Sequence, residues 1–335
     1  MFHQCQNQQR LIALGAFTIG ACLALPFAAQ AQSYPNKPIT LIVPTAPGGP
    51  VDVTARLVAP EMSNILKQRV VVDNRPGAAQ KIGIQSLLRA PADGYTIAAA
   101  SGAALTINPL LDNAIGYDPL KDFSLLSFAV ELPTVLVVSP AMRVRSLGEW
   151  VAYARSNPGK LAYGSGGAGT SLHFATEALL SLLGLTALHV PYKSSAPALQ
   201  GLLGGEINLL MPDVGTAKSH ILGGKIHALA GSGSKRSEEL PSVPTYAEAN
   251  LPALKGYDGY RQWVGFIAPA GVPPDTASAL HRSLDQALRT SKIRESLASL
   301  GFPVVSSTPQ QFAAWLRSEL ESNKKMIDSG AVKMN

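Results

Sequence analysis

The chain has 335 residues, 46% of them apolar and 15% charged, with a formal net charge of +6. That composition excludes a disordered chain and is ample for a packed core, and the length favours two lobes over one. The cations are dispersed, Lys324-Lys325 being their densest run, which speaks against a nucleic-acid-binding protein.

The first residues predict a targeting segment. Met1 to Arg10 is polar with one cation, Leu11 to Leu25 is apolar and ends at Pro26, and Ala29-Gln30-Ala31 offers the small residues a signal peptidase reads. A signal peptide over 1–31 is expected, cleaved after Ala31, with export of a soluble chain to the periplasm. An alternative is Ile19-Gly20-Ala21-Cys22, which resembles a lipoprotein box and would leave Cys22 lipidated. The apolar run is short for a membrane span. Both cysteines, Cys5 and Cys22, fall in this leader, so the expected mature chain needs no disulfide. Losing Arg10 takes its formal charge to +5.

The elements then alternate. Leu41-Ile42-Val43 is an apolar strand running into Pro44-Thr45-Ala46-Pro47-Gly48-Gly49, and Val51 to Lys67 has helical spacing. Arg69 to Asp73 is a strand, Ala78 to Arg89 a helix, and Tyr95 to Ala100 a strand ending in Ser101-Gly102. This β-α-β-α-β order predicts a mainly parallel sheet flanked by helices. An irregular stretch follows around Asn108-Pro109, Asp112-Asn113 and Asp118-Pro119. The chain is expected to cross to a second lobe at Leu132-Pro133-Thr134.

The second lobe repeats the plan. It has strands at Val135 to Ser139, Lys160 to Tyr163, Ala187 to Val190, Ile207 to Met211 and His227 to Ala230. Its helices lie at Leu147 to Ser156, Ser171 to Leu183, Ala196 to Leu203 and Ala217 to Leu222. Val264 to Ala268 is the strand expected to return to the first lobe. Helices follow at Pro274 to Leu288, Ile293 to Leu300, and from a Thr308 cap to about Ile327. The expected lobes are 32–133 with 263–335, and 134–262.

Small hydroxyl residues and glycines recur at strand ends and helix starts: Thr45, Gly48, Gly49, Ser101, Ser165, Thr170 and Ser171. Free amide groups at a helix start hold anions, glycine permits close approach, and hydroxyls add donors without bulk. A small anion is therefore the expected ligand. Lys193 is a candidate counter-charge, equally readable as a solvated lysine. Asp213 is a candidate acceptor for a ligand or water, equally readable as a helix cap, and Thr170 and Ser171 also suit capping.

Other chemistries fit less well. Gly164-x-Gly166-x-x-Gly169 matches the dinucleotide fingerprint, but that site wants an acid about 20 residues on, and after Glu177 the next acid is Glu206. No cofactor is expected. Gly169-Thr170-Ser171-Leu172-His173 is a near miss for a nucleophile elbow; His189 or His220 would have to approach Ser171. A secreted serine hydrolase is the alternative from another class. No His, Asp or Glu pair sits at metal-ligand spacing with a second pair nearby, so no metal is expected.

The ordered motifs resemble one family, the receptors of tripartite tricarboxylate transporters, also called Bug-type receptors. The resemblance runs from about Tyr34 to Val332. It rests on Tyr34-Pro35-x-Lys37-Pro38-Ile39, Ile42-Val43-Pro44 with Ala46-Pro47-Gly48-Gly49, Asn74-Arg75-Pro76-Gly77-Ala78 and Asp93-Gly94-Tyr95-Thr96. It continues through Tyr117-Asp118-Pro119-Leu120-Lys121-Asp122-Phe123, Gly169-Thr170-Ser171-x-His173, His189-Val190-Pro191-Tyr192-Lys193 and Ala268-Pro269-Ala270-Gly271. The resemblance implies an α/β, two-lobed, type II-like periplasmic binding protein with its ligand cleft between the lobes, not an enzyme. It implies closure about a hinge near Thr134 and Trp263, a small organic carboxylate as ligand, and a membrane permease of one large and one small subunit as partner. A monomer is expected. A ligand-presenting sensory protein without transport is the variant within this class. The ligand residues it implies are Thr45 through Gly49 with Asp52, and Ser165 through Ser171 with His173, hence Ala46, Pro47, Gly166 and Gly169 beside those already named. Gly102 joins them at its strand end. The chain departs from the family pattern at Thr45, usually Phe, and at Ala79-Gln80-Lys81, usually Gly-Gly-Asn. It departs again at Met211-Pro212-Asp213, often Phe-Asp-Asn, and at Lys193-Ser194, usually lysine-glycine.

Overall fold

Strand β1 (Ile39–Val43) is buried almost throughout, as expected of a parallel strand covered by helices on both faces. The structure is a computed structural model describing residues 34–328, 330 and 332, so the expected signal peptide and Cys22 lie outside the described residues. Met1–Asn36 is a separate unit, of which 34–36 are described. After β1 come helix α1 (Pro50–Leu66), β2 (Val70–Asn74), α2 (Lys81–Leu88), β3 (Thr96–Ser101), a π-helical turn (Ala103–Ile107) continuing into α3 (Asn108–Leu111), and β4 (Phe123–Pro133).

The next strand, β5 (Val135–Val138), already belongs to a second sheet. It is followed by α4 (Leu147–Ser156), β6 (Ala162–Ser165), α5 (Ser171–Leu182), β7 (Leu188–Pro191), α6 (Ser195–Gly204), β8 (Leu209–Leu210), α7 (Val214–Leu222) and β9 (His227–Gly231). Then β10 (Arg261–Pro269) rejoins the first sheet, and α8 (Pro274–Arg289), α9 (Ser291–Ser299) and α10 (Pro309–Asp328) complete the chain's described elements.

The first sheet has the order β2-β1-β3-β10-β4 and the second β7-β6-β8-β5-β9. In each, four strands run one way and the crossing strand, β10 or β5, runs against its neighbours. The two lobes thus share one plan, an α/β fold of mainly parallel sheets flanked by helices. The first lobe's core is aromatic: Phe128, Trp263, Phe312 and Trp315 pack ring against ring between sheet and α10. The second packs around Trp150, Tyr163 and Tyr246. A smaller cluster joins the lobes, with Ile107 of the π-helical turn against Phe174 and Ala178 of α5.

Three expectations need correction. The helix expected from Ala78 begins at Lys81, because Ala78, Ala79 and Gln80 have φ of 45°, 49° and 80°. Such left-handed residues cost about 1–2 kcal/mol each. They persist because the loop is tied down: Asn108 Nδ2 donates to Ala79 O at 2.7 Å and Gln80 Nε2 to Ser101 Oγ at 2.6 Å. Strand β4 was not foreseen. Two register shifts against β10 break its alternation of inward and outward side chains, which removes the period-two signal. Finally α7 begins at Val214 rather than Ala217, with Asp213 as its cap.

Candidate ligand-binding site

The loop after β1 is held by a buried acid one turn into α1. Asp52 is 2% exposed. Its Oδ2 accepts from Gly48 N at 2.9 Å, its Oδ1 from Asn74 Nδ2 at 2.8 Å, and the Arg56 Nε lies 3.0 Å from both oxygens. Burial alone would raise its pKa, but the Arg56, Gly48 and Asn74 contacts outweigh it and hold the carboxyl below its ordinary range. Asn74 Nδ2 also donates to Thr45 O at 3.0 Å. With Asp52 spent on bracing the loop, α1 starts at Gly49 without a side-chain cap, and its first amides are left for solvent or a ligand.

The corresponding loop of the second lobe, after β6, rests on a stack of rings. His173 lies 3.8 Å from His189 at an interplanar angle of 12°, and His189 lies 4.9 Å from Tyr163. His173 Nδ1 accepts from Gly169 N at 3.3 Å, while His189 Nε2 is 2.7 Å from Ser165 Oγ. Ser165 Oγ accepts from Gly167 N at 3.0 Å. Desolvation, with the neighbouring His189 second, pushes His173 down to about 4; desolvation also lowers His189. Both are therefore neutral rings at pH 7. Thr170 caps α5, accepting from His173 N.

Two further helices start here. Ser194 precedes α6 with no side-chain cap bond. Asp213 caps α7, accepting from Thr216 N at 2.9 Å and Thr216 Oγ1 at 2.8 Å. It is 2% exposed, and burial pushes its carboxyl up.

These starts converge on one cavity of ≈ 520 Å³ between the two lobes. Of the expected residues, Thr45, Ala46, Pro47, Gly48, Gly49 and Ser101 line it from the first lobe. Gly166, Thr170, Ser171, Lys193 and Asp213 line it from the second. The N-termini of α1, α5, α6 and α7 thus face one space at the carboxyl ends of strands, where open α/β sheets bind ligands. Lys193 is exposed and makes no ion pair among the described residues.

The other expected residues are not among those lining the cavity. Asp52, Ser165 and His173 stand behind the loops they brace. A Cβ on Gly102 would fall 2.8 Å from Tyr260 Oη and 3.0 Å from Trp263 Nε1, so its bareness serves packing. Gly169, at φ +76°, brings its α-carbon against the other lobe: a Cβ there would lie 3.3 Å from Ala79 Cβ. Lys81, one of the residues at which the chain departs from the family pattern, pairs with Asp112 at 2.7 Å. Residues not foreseen include Leu132, Gln262, Trp263 and Val264. Their only signal would have been long-range pairing, since β10 reaches the cleft through Val264 opposite Ser101. No hydrogen bond joins Ser171 to a histidine among the described residues; the imidazoles are spent on Gly169 and Ser165.

A family model described as the tripartite tricarboxylate transporter family receptor matches residues 54–331. The chain belongs to that receptor family. Its members are solute-binding receptors rather than enzymes, and the family is periplasmic. The receptor is 34% identical to Protein BugT of Bordetella pertussis, over 94% of this chain and 95% of that protein. Among solved structures it resembles R. palustris Rpa4515 with adipate (TM-score 0.80, 30% identity, 88% of this chain and 97% of that one). It also resembles MatC from Rhodopseudomonas palustris with bound malate (TM-score 0.79, 28% identity, 88% of this chain and 100% of that one).

Proposed function

We propose that this receptor captures a small organic carboxylate in the cleft and delivers it to a membrane permease of one large and one small subunit. The observation that carries the reading is the convergence of four helix N-termini, two without a side-chain cap, on one cavity with Lys193 at its rim. Partial positive charge and free amides suit a carboxylate. The malate and adipate held by two relatives are of the same chemistry. The ligand contacts proposed are the cavity residues named above, with Asp52, Ser165, Gly169 and His173 in support and Gly102 giving room to the rear wall.

The proposed lobes are 32–133 with 263–335, and 134–262, closing about Thr134 and Trp263. Thr134 lies alone between β4 and β5, its N–H donating to Ser232 Oγ and its carbonyl accepting from Ser232 N, both at 2.9 Å. The reading includes export by the 1–31 leader, with lipidation at Cys22 as the variant, and a monomeric receptor.

The test is a thermal-unfolding screen of the exported, ligand-free protein against citrate, malate, adipate, acidic amino acids, nicotinate and benzoate. A ligand at a hundred times its Kd adds about 2.7 kcal/mol, a rise of a few degrees for a chain of this length. A shift confined to one carboxylate subclass supports the reading and names the ligand. Folded protein silent to the whole panel overturns it.

A further inference from the structure

Behind the cleft lies a second chamber of ≈ 420 Å³ that the carboxylate reading does not use. Its front wall, Gln262 and Trp263, is the rear wall of the cleft. One face of α10 forms its floor, where Trp315, Glu319, Asn323 and Met326 recur at helical spacing. Phe174 and Ala178 of α5 close it from the second lobe. Its size falls within the range of about 300–1,000 Å³ typical of small-molecule sites.

The lining combines rings with negative charge. Trp315 packs 4.5 Å from Phe128 and 4.9 Å from Trp263, centroid to centroid. The carboxyls are Glu131, Asp258 and Glu319, against one cation, Arg261, which Asp258 already holds at 3.1 Å. Glu131 sits directly across from Trp263 in the β4–β10 ladder and has no ion pair among the described residues. Glu319 Oε2 accepts from Trp263 Nε1 at 2.9 Å, and the Thr106 side chain also hydrogen-bonds this carboxyl.

We propose that this chamber is a second binding site, for a small organic cation, whose ammonium group sits between the Glu131 and Glu319 carboxylates and the Trp263, Trp315 and Phe128 rings. Aromatic faces attract cations, most strongly when desolvated, and a carboxylate at the same place adds a charge-assisted contact. An anion would meet unpaired carboxylates instead. Burial pushes the Glu319 carboxyl up to about 8, the mark of a carboxylate short of a neutralising partner, which an ammonium group would supply. The phenols that face it, Tyr257 and Tyr260, are held neutral by the same burial. This site is independent of which ligand fills the cleft.

The probe is choline, whose charge does not titrate, with its neutral carbon isostere 3,3-dimethylbutan-1-ol as control. Calorimetric titration of the exported protein is expected to show saturable one-site binding of choline and none of the isostere. Affinity should rise between pH 7 and 9 as Glu319 ionises; the other charged groups facing the chamber are Glu131, Asp258 and Arg261. At pH 9, where Glu319 is ionised, Glu319→Gln keeps an acceptor for Trp263 and should weaken choline about tenfold or more. Should that variant not fold, Glu131→Gln, on an edge strand, is expected to weaken binding severalfold. No saturable binding of choline, equal binding of the isostere, or unchanged affinity in a folded Glu319→Gln protein would each overturn the proposal. Carboxylate binding measured on the same preparation keeps the two sites' outcomes separate.

Discussion

Two glycines of the cleft are constrained for different reasons, and substitution tells them apart. Gly169 sits at φ +76° with Ala79 of the other lobe against it, so Gly169→Ala is expected to cost about 1–2 kcal/mol, read as a lower urea midpoint. Gly49 has an ordinary φ of −79° and a Cβ there would meet nothing closer than Ala46 O at 3.8 Å. Gly49→Val should therefore fold normally yet weaken carboxylate binding by filling the cavity, a difference visible by titration beside an unchanged melt. The histidine stack adds a pH dependence. Because folding lowers the His173 pKa to about 4 from the usual 6.5 or so, the unfolded chain takes up the proton first as pH falls. The stabilisation is complete above about pH 6.5 and drains away down to about pH 4, on the order of 3 kcal/mol in all. Urea unfolding across that window should show the slope in the native protein and a shallower one in His173→Gln.

At the scale of elements, the cleft depends on helix starts, and that of α1 is left without a side-chain cap while Asp52 braces the loop before it. Asp52→Ala removes the acceptor for Gly48 N and Asn74 Nδ2 and strands Arg56. A loss of about 1–3 kcal/mol is expected, together with weaker carboxylate binding as the loop loosens, by melting and titration on one preparation. Most elements were legible in the sequence because parallel strands such as Leu41-Ile42-Val43 and Val70-Val71-Val72 are apolar runs, and the helices between them keep one apolar face. The loops after β1 and β6 were legible because glycine and hydroxyl residues cluster where strands end. What was hidden is non-local. Ala78 to Gln80 read as helix because propensity is local, whereas their left-handed turn is imposed by Asn108 and Ser101. Strand β4 hid behind its bulges, and Trp263 could not be placed in the cleft until β10 was known to lie between β3 and β4.

For the whole molecule, the shared strand order of the two sheets means that a ligand is met by equivalent strand ends from both sides, and the net charge of +6 favours anions at long range. Carboxylate association should therefore slow as salt rises from about 10 to 150 mM, where the screening length shrinks from about 30 to 8 Å, a trend that stopped-flow fluorescence of Trp263 would follow. The position of β10 carries a different consequence, in time rather than space. The second sheet is complete once the chain has reached Gly231, but the first waits for Arg261–Pro269 to be inserted between β3 and β4. The lobe begun first is therefore finished last. A ribosome that has made most of this protein holds a finished second sheet beside a first one whose β3 and β4 still wait for the strand between them.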